Sequence, residues 1–207
     1  MNGVTAIIPA FNEAGRIGRT VRAVAAYVDE VLVIDDGSQD DTATQAEVAG
    51  ARVLRQTTNQ GYISAIKRGF QEAQGSIVVT IDADGEFPAE KIPELIQPIL
   101  EGRADMVQGH RQFTPRPSEK FLTALANLKA PVGDSGTGFR ALRTDLAQKL
   151  ELNGACICGI FSLEVLAREG KILEIPIELN HINKPRRIAW YHIRQLFYLL
   201  PWLFRRY

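Results

Sequence analysis

The chain has 207 residues with 24 basic and 24 acidic side chains and 45% hydrophobic content, enough for one domain with a substantial core. That composition excludes disordered, collagen-like and low-complexity architectures. The two cysteines, Cys156 and Cys158, cannot make a disulfide framework; they read as buried free thiols of a reducing compartment, and with the scattered His110, His181 and His192 they predict no zinc site.

The opening MNGVTAIIPAFNE lacks the basic start and long apolar run of a secretory leader. Residues 4–8 form a short apolar run stopped by Pro9, a buried strand. Asn12 is a candidate cap for a helix over residues 12–27, with Ile17, Val21, Val24 and Val28 at helical spacing. A strand over 31–34 ends in Asp35-Asp36-Gly37-Ser38. A helix (41–49), a strand (51–55) and a helix (62–73) follow, with Lys67 and Arg68 on a solvated face. The β-branched run 77–81 ends in Asp82-Ala83-Asp84-Gly85. Pro88 and Pro93 bracket the start of a helix to about Leu100, and 105–109 is a strand. Strands alternating with helices predict a mostly parallel sheet covered on both faces.

The order then changes. Residues 112–120 read as a loop, with Pro115 and Pro117. Gly136-Thr137-Gly138-Phe139-Arg140 precedes a helix over 144–150; 161–168 reads as helix and 172–179 as extended. No run of about 18 apolar residues predicts a bilayer-spanning helix. From His181 onward there are six basic residues (Lys184, Arg186, Arg187, Arg194, Arg205 and Arg206) and no acid, which leaves 18 basic against 24 acidic residues in the rest.

Open parallel sheets bind ligands at the carboxyl ends of their strands. Three clusters fall there: Asn12-Glu13, Asp35-Asp36 and Asp82/Asp84/Glu86. No G-x-G-x-x-G follows the first strand and no G-x-x-x-x-G-K-[ST] occurs, so phosphates are not expected on a glycine-rich backbone loop. Several carboxylates without such a cradle repel a nucleotide unless a divalent cation bridges them, and hard oxygen donors suit Mg²⁺ or Mn²⁺. Residues i and i+2 of an extended segment face the same way, which predicts that Asp82 and Asp84 reach one ion, with Glu86 continuing the parity.

The ordered blocks IIPAFNE, VIDDGSQDDT, Asn59-Gln60-Gly61, IDADGEFP and VQGHR, with weaker echoes at SGTGFRAL and ILEIPIEL, resemble the family 2 glycosyltransferases, above all the dolichyl-phosphate mannose synthase and polyprenyl-phosphate glycosyltransferase group. The resemblance implies an α/β fold of GT-A type, Rossmann-like, over residues 1–180, with a basic amphipathic helical tail over 181–207. It implies that Pro9, Phe11 and Glu13 line the nucleotide pocket and that Asp36, with Asp35, holds base or ribose. It further implies that Asp82, Ala83 and Asp84 would form the donor site, that Asp82, Asp84 and Glu86 would form the metal site for Mg²⁺ or Mn²⁺, and that Arg111 and Arg140 would face the diphosphate or the acceptor phosphate. Three departures stand out: Ile63 replaces a common glycine, the segment between Arg111 and Asp134 is short for the group, and Asn183-Lys184-Pro185-Arg186-Arg187 keeps the basic character but not the pattern of the group's late basic motif.

The implied activity is metal-dependent, inverting transfer of a hexose, mannose or glucose favoured, from a GDP- or UDP-sugar to a polyprenyl or dolichyl phosphate. A hydroxyl acceptor needs a general base. Hydroxyl-directed members of the family carry a Glu-Asp pair where this chain has Phe161-Ser162-Leu163-Glu164-Val165, with one carboxylate. A phosphate monoester is already ionised and needs cations instead. Glu164 is therefore open as a base, as a group orienting an arginine, or as a surface acid. Residues 188–200 place Ile193, Leu196, Phe197, Leu199 and Leu200 on one helical arc and Tyr191, Arg194, Gln195 and Tyr198 opposite, ended by Pro201. With Trp190, Trp202, Phe204 and the arginines, this predicts an interfacial helix on a membrane, and hence a cytoplasmic protein peripheral on the cytoplasmic face. Docking on the protein's own core or in a dimer is the competing reading. No nucleic-acid partner is expected. A family 2 transferase acting on a saccharide or small-molecule hydroxyl, and a non-catalytic nucleotide-sugar-binding module, are the alternatives.

Overall fold

Apolar runs in β1, β2 and β4, separated by amphipathic helices, give the inner strands of a central sheet, and its outer strands are more polar. The computed structural model describes residues 3–112, 117–180 and 191–205. In chain order the elements are β1 (Val4–Ala10), α1 (Ile17–Ala25), β2 (Glu30–Asp35), α2 (Thr42–Val48), β3 (Arg52–Arg55), α3 (Tyr62–Glu72) and β4 (Ile77–Thr80). A 3₁₀ turn (Ala89–Lys91) leads into α4 (Ile92–Leu100). Then come β5 (Met106–Arg111), α5 (Pro117–Ala126), β6 (Arg140–Arg143), α6 (Thr144–Ala147), α7 (Ile160–Ala167), β7 (Ile172–Ile177) and α8 (Tyr191–Phe204).

Among the described residues the strands form one seven-stranded sheet in the order β3-β2-β1-β4-β6-β5-β7. The β1–β2, β2–β3, β1–β4 and β5–β7 ladders are parallel, and β6 runs antiparallel to both β4 and β5. The chain winds outward from β1 to β3 and returns to β4 on β1's other side. That reversal opens a crevice beyond the carboxyl ends of β1 and β4, where such sheets take ligands.

The side chains of β1 divide between two faces with period two: Ala6 and Ile8 join one buried cluster with Val21, Val33 and Leu95, and Ile7 joins the other with Ile66, Phe70 and Phe161. A third cluster, with Leu122, Ile160, Leu163 and Leu199, lies between α5, α7 and α8. Gly69 sets how close α3 lies to β1, since a Cβ there meets Ile7 Cγ2 at 2.3 Å.

Five sequence expectations are revised. Strand β1 is not stopped by Pro9 but runs through it to Ala10, with Pro9 opposite Ile34. Asn12 does not cap α1, whose first residue is Ile17; Asn12 sits at φ 54° and its Oδ1 accepts the Gln39 N–H, tying the β1 and β2 loops together. Part of the supposed loop over 112–120 is α5, which Pro117 begins; a first-turn proline loses no helical hydrogen bond. Residues 140–143 form β6, which sequence reading passed over as a lead-in to a helix. Strand β7 ends at Ile177 rather than 179, and as an edge strand it tolerates Pro176.

Replacing Gly69 with alanine drives a methyl group into Ile7. Gly69→Ala is expected to destabilise the fold by about 1–3 kcal/mol, read from the urea midpoint at unchanged m-value.

Candidate active site

A cavity of about 770 Å³ opens at the crevice. Pro9, Ala10, Phe11 and Glu13 line it from the end of β1. Asp36 and the 59–63 segment line it from the β2 side, and Asp82, Ala83 and Asp84 from the end of β4. The far wall comes from Glu119, Gly136, Gly138, the 154–158 loop and α8 through His192, Arg194 and Tyr198.

Each acidic group on the β1/β2 side of the cavity is held differently. Glu13 pairs with Arg16 at 2.7 Å, and its backbone N–H donates to Thr42 Oγ1 at 2.7 Å. The Asp36 carboxylate is buried and accepts the N–H groups of Gln60 at 2.7 Å and Gly61 at 2.8 Å, so it pins the 59–61 loop to the end of β2. Asp35 does not line the cavity; its Oδ1 accepts the Ser38 N–H at 3.2 Å and shapes the turn. Phe11 is 43% exposed at the rim and offers a flat apolar face for stacking.

Asp82 and Asp84 both reach the cavity, but not by strand parity. Strand β4 ends at Thr80, and the acids stand on a turn in which Asp84 Oδ1 accepts the Glu86 N–H at 3.0 Å. The turn takes Glu86 out of the lining, which revises its expected place beside the two aspartates. The Ala83 carbonyl between them accepts Thr20 Oγ1–H at 2.8 Å. The Tyr62 hydroxyl donates to Asp82 Oδ1 at 3.2 Å; burial, then the Asp82 charge, push its pKa well above the ordinary phenol value, so it keeps its proton. Gly138 leaves room opposite: a Cβ there would stand 2.6 Å from Asp82 Oδ1. Two hard carboxylates over an open cradle fit Mg²⁺ or Mn²⁺.

Arg111 and Arg140 lie beneath the wall and do not line the cavity. Arg111 is buried between two acids: its Nε and a terminal nitrogen donate to Asp134 at 2.6 and 2.8 Å, and it reaches Glu119 at 3.0 Å. Burial alone opposes its charge, but the Asp134 and Glu119 carboxylates outweigh it and raise the Arg111 pKa. Burial likewise acts to raise Asp134, and the hydrogen bonds and charge of Arg111 hold it below the ordinary aspartate value. Arg140 is 1% exposed; it donates to the Ser135 carbonyl at 2.9 Å, lies 4.6 Å over the Phe161 ring, and leaves its buried Nε without a hydrogen-bond partner. Burial lowers its pKa against the pull of Tyr62, Asp134 and Cys158.

Glu164 is neither a surface acid nor a cavity residue. Its carboxylate, 1% exposed, accepts the N–H groups of Glu151 at 2.8 Å and Leu152 at 2.7 Å, with Arg168 at 3.5 Å. Burial raises its pKa. It anchors the start of the 151–159 loop, where Leu152 holds a left-handed φ of 47°.

The sequence does not point to Tyr62, Glu119, Asp134 or Tyr198 in this region, and the expected absence of a zinc site passes over a cysteine–histidine cluster. The fold brings Cys156, Cys158 and His192 together, with all ligand atoms within 4.8 Å of one another. Cys156 is held below the ordinary thiol pKa by a hydrogen bond from Cys158, while that same bond and burial raise Cys158. The buried face of α8 also differs from the predicted one. His192, Gln195 and Leu199 are buried against the protein, whereas Ile193, Phe197, Leu200 and Phe204 point outward. His181, Lys184, Pro185, Arg186, Arg187, Trp190 and Arg206 lie outside the described residues.

The family model described as Glycosyl transferase family 2 matches residues 5–166. A dolichol-phosphate mannosyltransferase of Pyrococcus furiosus is 28% identical, with 96% of this chain and 64% of that protein covered. An undecaprenyl-phosphate 4-deoxy-4-formamido-L-arabinose transferase of Sodalis glossinidius is 36% identical over 68% of this chain and 48% of that protein. The chain therefore spans less than two thirds of the length of these relatives. The crystal structure of glucosyl-3-phosphoglycerate synthase from Mycobacterium tuberculosis with Mn²⁺, UDP and glucosyl-3-phosphoglycerate superposes with a TM-score of 0.74 at 25% identity, covering 89% of this chain and 73% of that one.

The buried Arg111 cluster sets a pH-dependent stability. Asp134→Asn takes one of the two carboxylates from the buried Arg111 guanidinium, leaving Glu119, and is expected to destabilise the protein by up to about 3–5 kcal/mol at neutral pH. Because the folded-state pKa of Asp134 is lowered, its contribution is complete above the unfolded value of 3.8 and is lost as pH falls through the folded value. The gap between wild type and Asp134→Asn in chemical denaturation should therefore close in acid.

Proposed function

The chain belongs to glycosyl transferase family 2, and we propose that it moves a hexosyl group from a GDP- or UDP-sugar to a polyprenyl phosphate. The observation that carries this reading is the convergence of Asp82 and Asp84 with Phe11, Glu13 and Asp36 on one cavity at the β1/β4 crevice. In this reading residues 1–180 are the transfer unit. Pro9 and Phe11 bound the base, with the ring of Phe11 stacking on it. A carboxylate has about four acceptor sites, so Asp36 can bind a base N–H or a ribose hydroxyl while still holding the 59–61 loop. Asp82 and Asp84 hold Mg²⁺ or Mn²⁺, which when bound neutralises charge on the leaving diphosphate. Ala83, small and with its carbonyl held by Thr20, keeps the donor side open.

The acceptor follows from what the carboxylates are doing. Among the described residues lining the cavity, Glu13 pairs with Arg16, Asp36 holds a loop, Asp82 and Asp84 form the cation site, and Glu119 pairs with Arg111. Glu164 is sealed away. No carboxylate is placed to take a proton from a hydroxyl, so an acceptor that arrives ionised is favoured. A phosphate oxygen of the acceptor bonds to the anomeric carbon as that carbon's bond to the diphosphate breaks, with inversion, and the nucleoside diphosphate leaves. Arg194 at the rim attracts the acceptor phosphate, and the buried charge of Arg140 adds a positive field from beneath. Arg111 acts through the wall it braces.

The outward stripe of α8 supports a lipid-linked acceptor. Ile193, Phe197, Leu200 and Phe204 recur at helical spacing and are 55%, 71%, 43% and 84% exposed, and Phe121 of the neighbouring α5 is 55% exposed. No helix among the described residues is long and apolar enough to cross a membrane. The stripe suits an interfacial helix, with Arg205 stacked on Trp202 at its end, on a cytoplasmic membrane face. The likeness to a glucosyl-3-phosphoglycerate synthase favours one second reading, a small soluble phosphorylated acceptor.

Incubation with Mn²⁺, GDP- or UDP-hexoses and a short polyprenyl phosphate should yield a lipid-linked sugar. Product from 3-phosphoglycerate alone would select the second reading, and no product from either would refute both. Asp84→Ala is expected to lower kcat/KM by about a hundredfold or more without unfolding the chain. In sedimentation with anionic vesicles, Phe197→Glu/Leu200→Glu should weaken binding by about tenfold or more, and unchanged binding would remove the interfacial role of α8.

A further inference from the structure

The wall facing the carboxylates holds a second donor set of opposite chemical character. Cys156 and Cys158 stand on the loop before α7, and His192 is in the first turn of α8. The His192 Nε2 lies 3.8 Å from Cys158 Sγ, and the three ligand atoms all fall within 4.8 Å of one another. Tetrahedral zinc, with bonds of about 2.3 Å to sulfur and about 2.0 Å to nitrogen, puts its donors about 3.5–3.8 Å apart, so a small contraction suffices.

We propose that Cys156, Cys158 and His192 form a site for one thiophilic divalent cation, Zn²⁺, with its fourth position open to the cavity. Two features show that the donors are built into place. First, His192 Nδ1 is 2.6 Å from Ser118 Oγ, which orients the ring with Nε2 toward the sulfurs, as outer partners of metal-bound histidines do. Second, Gln195, one turn along α8 from His192, holds the cysteine loop by its backbone. Its Oε1 accepts the N–H groups of Ala155 at 2.8 Å and Cys156 at 3.0 Å, and its Nε2 donates to the Cys158 carbonyl at 3.0 Å. The two elements that supply the ligands are thus fastened together before any ion binds. All three side chains line the cavity, so water or an anionic oxygen can complete the coordination. Two sulfurs and an imidazole select Zn²⁺ over Mg²⁺, and the aspartates across the cavity select the reverse. An ion here cross-links α8 to the 151–159 loop.

The test uses Co²⁺ as a spectroscopic probe on the full chain, reduced with a phosphine and stripped with a chelator. One equivalent of Co²⁺ should produce a thiolate-to-cobalt charge-transfer band, and Zn²⁺ should displace it. Cys156→Ser and Cys158→Ser should each cut the band by about half or abolish it, and Ser118→Ala should keep the band but weaken affinity by about 10–100-fold. Asp84→Ala should leave the band unchanged, which separates this site from the carboxylate site and from the transferase reading. Absence of the band in folded, reduced wild-type protein overturns the proposal. So does a band that persists unchanged in Cys158→Ser. Circular dichroism establishes that each variant is folded, and if the cysteine variants are not, the Ser118→Ala affinity decides: no loss overturns the site.

Discussion

Like charges crowded into a crevice repel, and that repulsion is the condition the rest of this structure answers. Reversing the strand order at β1 and β4 brings Glu13, Asp36, Asp82 and Asp84 to a common opening. The protein meets most of the resulting cost with fixed partners: Arg16 for Glu13, two backbone N–H groups for Asp36, and the Tyr62 hydroxyl for Asp82. Deeper in, Arg111 stands between Asp134 and Glu119, and Arg140 is buried under the wall. Buried charges of both signs, each hydrogen-bonded, are tolerable where isolated ones are not. The pair at the end of β4, Asp82 and Asp84, is where the proposed divalent cation would sit.

The donor half of the cavity was legible in the sequence because it is local. Phe11, Glu13, Asp36, Asp82 and Asp84 each follow a strand that hydrophobic periodicity reveals, with Pro9 near the end of β1's own ladder, and a parallel sheet carries such positions to one edge. The limits of that legibility are equally physical. Parity predicted a shared face for Asp82, Asp84 and Glu86, but parity holds only in extended chain, and β4 stops two residues before Asp82. Strand β6 is four residues long and follows a glycine-rich turn, so nothing periodic announces it. Pro117 read as a loop marker although the first turn of a helix accepts it.

The far wall was illegible for a different reason. Its residues come from α5, the 151–159 loop and α8, and the hydrogen bonds that assemble them join positions 39, 40 and 74 residues apart. No spacing rule reaches that far, which is why the cysteines and His192 read as unrelated. The role of Glu164 was hidden likewise: a lone acid on a helix looks like a surface charge until the backbone groups of Glu151 and Leu152 are seen to close on it. The amphipathic arc of α8 was read correctly as apolar but rotated from its true seat, because Gln195 goes inward to serve backbone groups that hydropathy cannot register.

Gln195 has one further consequence. A single amide spans two regions of the molecule, since it rides on the helix whose outer stripe is exposed and grips the loop that forms the far wall of the cavity. Three hydrogen bonds therefore tie the seat of α8 to the loop at the rim of the cavity, so a displacement of one would strain the other. Were α8 to seat on a surface, as proposed, thermodynamic linkage would make the effect reciprocal: occupancy of the cavity and seating of the helix would each shift the other.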